Sequence, residues 1–314
     1  MRFREAVLGE LVRNGYSQRK DGVKVWNIAS NPDLLYTSDS FVRNYLKLRA
    51  HPRYRKVVLS IEKALIKEHA KKVLAGLENE PCNLIDVGCA DGEKFSTFLN
   101  ALRHSGSFRC CALNASKRLV DLTISNVKKK KLKNVTAYLK FYRTMNEVDC
   151  VISEVRSTAY RRNIVLFFGS LLSLFEIHEM LFRISSAMLP GDRLVVGIGI
   201  RKGKRLQNLR NYTQKEFRRQ FEPAMKEIGF RAGELEYGAR FANARVEIFF
   251  KVKKARKVKF RGKTLAFNEG DEIVVAYIYK YFPNELKRIF RMYFRKVEMF
   301  KDNLEEYALV LSEK

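Results

Sequence analysis

Six prolines, four histidines, five cysteines and one tryptophan among 314 residues leave several classes of protein without their raw material. So little proline, beside 46% hydrophobic and 12% aromatic residues, excludes a disordered or fibrous chain and leaves enough apolar surface for a full core. The cysteines (Cys82, Cys89, Cys110, Cys111 and Cys150) form no C-x-x-C pair and no metal-ligand spacing with the histidines, so neither a disulfide framework nor a metal centre is expected. A reducing, cytoplasmic compartment follows as the expectation. Long apolar runs are also missing. The longest, "IVLFFGSLLSLF" (Ile164 to Phe175), stops at Glu176, too short to span a membrane, and the first residues show no secretory signal. Acids are in short supply as well: 34 against 61 basic residues give a formal charge of +27. Such an excess favours contact with polyanions, so RNA is an open partner; a charged fraction of 30% equally suits a protein from a hot environment. The excess is clustered in "KKKKLK" (Lys128 to Lys133), read as the end of a helix, and "KVKKARKVKFRGK" (Lys251 to Lys263), read as one face of a hairpin.

What the chain does contain is an alternation of strands and helices. Apolar residues at helical spacing predict a helix from about Val57 to Leu77. Leu84 to Val87 read as a buried strand, followed by a glycine loop and a helix marked by Phe95, Phe98, Leu99 and Leu102. "SFRCCALNAS" supplies a second strand ending near Asn114, with Ser116 placed to cap the next helix. The runs "VTAYLKFY", "VDCVIS" and "NIVLFFGS" read as further strand candidates, then comes a helix from Ile177 to Met188, and "RLVVGIGI" is another strand. This alternation predicts an α/β fold with a doubly wound parallel sheet, whose ligands bind at the carboxyl ends of the strands. The final third predicts antiparallel strands with turns at Arg261-Gly262 and Asn268-Glu269-Gly270, a helix from Asn284 to Phe294 and a last strand, "YALVLSE". The expected organisation is a cofactor-binding domain over residues 56–200 and an α+β substrate lobe from 1–55 and 201–314.

The stretch "NLIDVGCADGEKF" (Asn83 to Phe95) carries the first chemical motif. A strand delivers backbone N–H groups into a tight turn, and glycines let that backbone approach a ligand closely. The spacing of Asp86, Gly88, Cys89, Ala90 and Gly92 departs from G-x-G-x-x-G and fits the D-x-G-x-x-x-G pattern of S-adenosylmethionine pockets. At the end of the next strand, where an acid would take both ribose hydroxyls, the chain has Asn114 and then Ala115.

On "LIDVGCADGEKFSTFLNAL", "ALNAS", "LFFGSLLSLFEIHEML" and "FRGKTLAFNEGDEIVVAYIYKYF", the chain resembles the histidine-specific methyltransferase family over roughly residues 50–312. The resemblance implies a class I methyltransferase, Rossmann-like fold with an added substrate lobe, and S-adenosyl-L-methionine as cofactor. Gly88 and Lys94 match the family's loop, and Gly169 and Ser170 its "FxGS" turn. The family's ribose acid falls on Asn114, and its adenine-binding acid on Asp149 or Glu154, with Glu154 favoured for following "VDCVIS". In the substrate site the family's Asn falls on Ser173, and the Tyr of its "YND" motif on Arg210, with only Asn211 kept. Its Glu and Ser fall on Ala276 and Ile278, although Tyr279, Lys280 and Tyr281 match. The expected substrate set is Ser173, Arg210, Asn211, Tyr212, Tyr279 and Tyr281. The acceptor implied is a small amine, an amino-acid-like molecule or a protein side chain other than free histidine. RNA methylation through the basic lobe, and a degenerate fold that only binds nucleic acid or protein, stand as alternatives.

Overall fold

The computed structural model describes residues 3–204, 206 and 208–314, and divides them into two compact units. The larger unit comprises residues 49–203 and 281–314. Its elements are α1 (Ser60–Val73), β1 (Pro81–Val87), α2 (Glu93–Ala101), β2 (Ser107–Leu113), α3 (Lys117–Lys128), β3 (Val135–Phe141), α4 (Val148–Glu154), β4 (Arg162–Phe167), α5 (Ile177–Ala187), β5 (Arg193–Gly199), α6 (Pro283–Arg291), β6 (Lys296–Lys301) and β7 (Tyr307–Glu313). The strands form one seven-stranded sheet in the order β3-β2-β1-β4-β5-β7-β6, with β1 to β5 parallel and β7 antiparallel to both neighbours.

Sequence accounts for this sheet locally. β1, β4 and β5 are almost wholly buried, which is why they read as continuous apolar runs rather than alternating ones. Ser116 caps α3 through its side chain, which accepts the Leu119 N–H, and Leu119, Val120, Ile124 and Val127 turn inward. Phe95, Phe98, Phe108 and Leu309 meet in the core on one face of the sheet. α1 stops at Val73, four residues before the predicted end, because Gly76 (φ 81°) turns the chain in the left-handed region.

Two expectations need correction. "VDCVIS" is not a strand: it forms α4, burying Val148, Val151 and Ile152 at helical spacing. Residues 281–314 do not belong to a separate lobe, because β7 inserts between β5 and β6 and completes the large sheet.

The smaller unit is residues up to 48 together with 204–280. A five-stranded sheet takes Tyr16–Gln18, Lys24–Asn27, Glu272–Tyr279, Arg245–Val252 and Leu235–Ala242 in that order. Trp26, Phe41, Phe221, Phe230, Phe250 and Phe267 fill its core. The basic run forms the predicted hairpin, Arg256–Phe260 against Lys263–Phe267. Val258 and Leu265 face inward, Lys257 and Lys259 stay in solvent, and Arg261 and Gly262 both take positive φ in the turn. No helix among the described residues is long and apolar enough to cross a membrane, and no group of three His, Cys, Asp or Glu there is placed to hold a metal.

Candidate functional site

The strand order reverses between β1 and β4, since β1 leads on towards β2 and β4 towards β5. A doubly wound sheet opens its ligand crevice above such a pair. The loops that leave these strands meet there. Gly88, after β1, has φ 63°, and a Cβ on it would lie 2.1 Å from Leu171 Cδ2 in the turn after β4. Gly169, in that turn, has φ 81°, and a Cβ there would lie 2.6 Å from Lys94 Nζ. Glycine is required at both positions by backbone conformation and by close approach. Ser170 holds φ 57° without being glycine, fixed by its N–H on the Gly197 carbonyl (3.0 Å) and by its Oγ, which accepts the Gly199 N–H (3.0 Å).

Charge is concentrated beneath these loops. Lys94 is buried and donates to Glu62 Oε2 at 2.6 Å, while Glu62 Oε1 accepts the Gly169 N–H at 2.7 Å. Glu62 is fully buried and packs against Gly197, where a Cβ would come within 2.0 Å of its Oε1. Asp86, at the end of β1, is buried, and desolvation pushes its carboxyl up to about 7 against the opposing pull of Lys94 and Arg49. Asp91 goes the other way. Burial raises it, but the two hydrogen bonds and charge of Arg49 (2.7 and 3.0 Å) and the Glu93 N–H leave it below the usual carboxylate range. Burial also pushes the Cys89 thiol up, so it is a neutral packing group.

Most of the predicted cofactor positions therefore converge. Asp86, Gly88, Cys89, Ala90, Gly92 and Lys94 are joined to Asn114 and Ala115 at the end of β2, and to Gly169 and Ser170 after β4. Asn114 links the first two groups: its Nδ2 donates to the Cys89 carbonyl at 2.8 Å and its Oδ1 accepts the Ser116 N–H at 2.8 Å. Thr123 Oγ1 donates to the Ala90 carbonyl at 3.3 Å, and Gly92 packs on the backbone of the same threonine.

Glu154 does not join them. It ends α4, whose Ile152 and Val155 carbonyls accept from Asn163 near the start of β4 and from Arg109 near the start of β2. That places it at the amino edge of the sheet, away from the crevice, paired with Arg143 at 2.7 Å. Asp149, in the first turn of α4, lies 3.8 Å from Arg183. Ser173 is fully buried, and its hydroxyl donates to the Ser170 carbonyl (2.5 Å), so it shapes the turn rather than facing a substrate. Arg210, Asn211, Tyr212 and Tyr279 belong to the smaller unit, and Tyr281 to the larger one, where it bridges to Ile200. Arg210 is exposed, and Tyr212 packs its ring on Phe217. Arg49, Glu62, Thr123 and Leu171 escaped the sequence reading. Glu62 alone left a signal there, as an acid on the buried stripe of α1 beside Leu65, Ile66 and Val73.

A parallel sheet of this order with a reversed β7, and a glycine loop at the β1/β4 switch point, define a class I methyltransferase. The family described as histidine-specific, SAM-dependent methyltransferase matches residues 50–314, and the chain belongs to it. It is accordingly an S-adenosylmethionine-dependent methyltransferase. No curated protein matches the chain in sequence. Similar solved structures include the PH0226 protein of Pyrococcus horikoshii OT3, 11% identical over 85% of this chain and 98% of that one, with a TM-score of 0.45. The magnesium protoporphyrin IX methyltransferase of Synechocystis PCC 6803, solved with bound SAH, is 10% identical over 89% of this chain and 96% of that one, with a TM-score of 0.46.

The donor set at the switch point fits that cofactor. Its amino-acid end is a zwitterion and its sulfonium a cation; the buried carboxyl of Asp86 and the glycine backbone at Gly88 and Gly169 suit them, while Glu62 and Lys94 pair with each other and brace the turn.

Proposed function

We propose that this methyltransferase acts on a small amine other than free histidine. The observation that carries the reading is the fate of two positions in the smaller unit. Where the family resemblance implies a Glu and a Ser holding the substrate amino acid, this chain has Ala276 and Ile278, and both pack in the apolar core of that unit. Neither can accept from an ammonium or donate to a carboxylate. The polar groups nearby are already committed: Arg245 donates to Glu247 at 2.8 and 3.0 Å, and its guanidinium lies 3.7 Å from the Tyr277 ring centre.

When bound, the cofactor supplies an electrophilic methyl on sulfur. The chain's own part is to hold donor and acceptor in line and to keep water away. The loop Gly88–Gly92, Asn114 and the Gly169–Ser170 turn would hold the cofactor, with Asp86 beside its amino-acid end and the Lys94–Glu62 pair bracing the turn. Leu171 and Cys89 furnish a dry, neutral wall. A neutral amine needs no acid–base dyad to react, which agrees with a site whose buried groups serve position and charge.

Incubating the purified chain with an isotopically labelled methyl donor and a panel of small amines, free histidine among them, tests this. Labelled product from another amine and none from histidine is the expected result; histidine methylated as fast as the best amine overturns it. Calorimetric titration with S-adenosylhomocysteine, run alongside, separates a wrong acceptor from lost cofactor binding.

A further inference from the structure

The helical face formed by α1, α2 and α3 carries a groove of about 780 Å³. α2 packs against both α1 and α3 and forms its floor with small residues: Ser96, Thr97, Asn100 and Ala101. Lysines form the walls. Lys63, Lys67 and Lys71 project from α1, and Lys129 and Lys130 stand opposite, just past the end of α3.

Charge in the groove is not balanced. Its two acids are already satisfied, Asp91 by Arg49, and Glu93 by Arg55 (3.0 and 3.2 Å) and Lys63 (2.6 Å). Lys67, Lys71, Lys129 and Lys130 are exposed and have no ion-pair partner among the described residues. Four exposed like charges along one groove set up a local positive field that attracts an anion.

The arrangement also constrains the shape of the anion. Lys63, Lys67 and Lys71 recur every four residues, about 6 Å of helix rise apart, and Lys129 and Lys130 face them, so the charges flank an elongated trough. No aromatic side chain lines the groove, so nothing there would stack a base. Ammonium groups act as point charges on phosphate, without the planar fork by which arginine reads a base edge. We propose that this groove binds nucleic acid along its sugar–phosphate backbone, independently of sequence. The assignment does not rest on which acceptor the enzyme methylates.

The test uses the full chain and fluorescence anisotropy with end-labelled oligouridylate and oligothymidylate of about twenty nucleotides, titrated over a range of salt. Each lysine that contacts a phosphate contributes about 0.7 to the slope of log affinity against log salt for a single strand. The double variants Lys67→Gln/Lys71→Gln and Lys129→Gln/Lys130→Gln are each expected to lower that slope by about 1.4 and affinity several-fold at low salt. The hairpin double Lys257→Gln/Lys259→Gln removes the same charge elsewhere and is expected to leave both nearly unchanged. Circular dichroism confirms that each variant is folded. Tighter binding of oligouridylate than of oligothymidylate assigns the site to RNA, and equal binding to the shared backbone. Equal losses in the groove and hairpin doubles would mean a diffuse basic field and would overturn the proposal, as would absent binding by the unaltered chain.

Discussion

At the end of β2 the side chain of Asn114 is engaged on both sides, donating to the Cys89 carbonyl and accepting from the Ser116 N–H. Read as a residue in a pattern, it stands where an acid would grip the ribose, and an acid restored there would be expected to tighten binding. Its surroundings reverse that expectation. Asn114→Asp would set a carboxylate oxygen against the Cys89 carbonyl and leave two buried acceptors facing each other, at a cost of about 1 to 3 kcal/mol. Urea unfolding is expected to show that loss, and calorimetry no gain in cofactor affinity. Gly88 illustrates the complementary case, since its loop pattern was visible while the leucine pressed against it was not. Sequence shows that a position must be glycine; only contacts show whether ligand or protein is the reason.

Among the elements, α4 marks where local reading misled. A run rich in valine and isoleucine favours a strand by composition. Yet Val148, Val151 and Ile152 share one helical face, and Thr144 and Glu147 form a capping box just upstream, with the Glu147 carboxylate accepting the Thr144 N–H at 3.1 Å. Both signals were present in the chain and outweigh β-propensity once the element has a neighbour to pack on. The consequence reached the site, because a helix carries Glu154 back to the amino edge of the sheet. Thr144→Ala is expected to reduce stability by about 1 kcal/mol in a denaturant titration, with cofactor affinity unchanged. A fall in affinity of the same size would place this cap at the cofactor site after all.

For the molecule as a whole, the chain leaves the large sheet after β5, builds most of the smaller unit, and returns at Tyr281 to finish the sheet. β7 brings Tyr307, Leu309 and Leu311 into the core on one sheet face, so a chain ending at Lys280 would leave β5 unpaired on one edge and that core open. Such a truncation is expected to lose cooperative unfolding of the larger unit and to bind a hydrophobic dye; had residues 201–314 formed a lobe of their own, residues 56–200 would unfold as before. The sequence by itself determined the α/β class, the glycine loop, the caps of single helices and the basic hairpin, because these depend on residues close together in the chain and on period and turn chemistry. Tertiary structure decided that Glu62 neutralises Lys94, that Leu171 covers Gly88, that lysines of α1 and of the turn after α3 share one groove, and that the last strands close the first sheet. Each of those pairings joins residues distant in sequence, whose proximity depends on the packing of whole elements and leaves no local pattern to read.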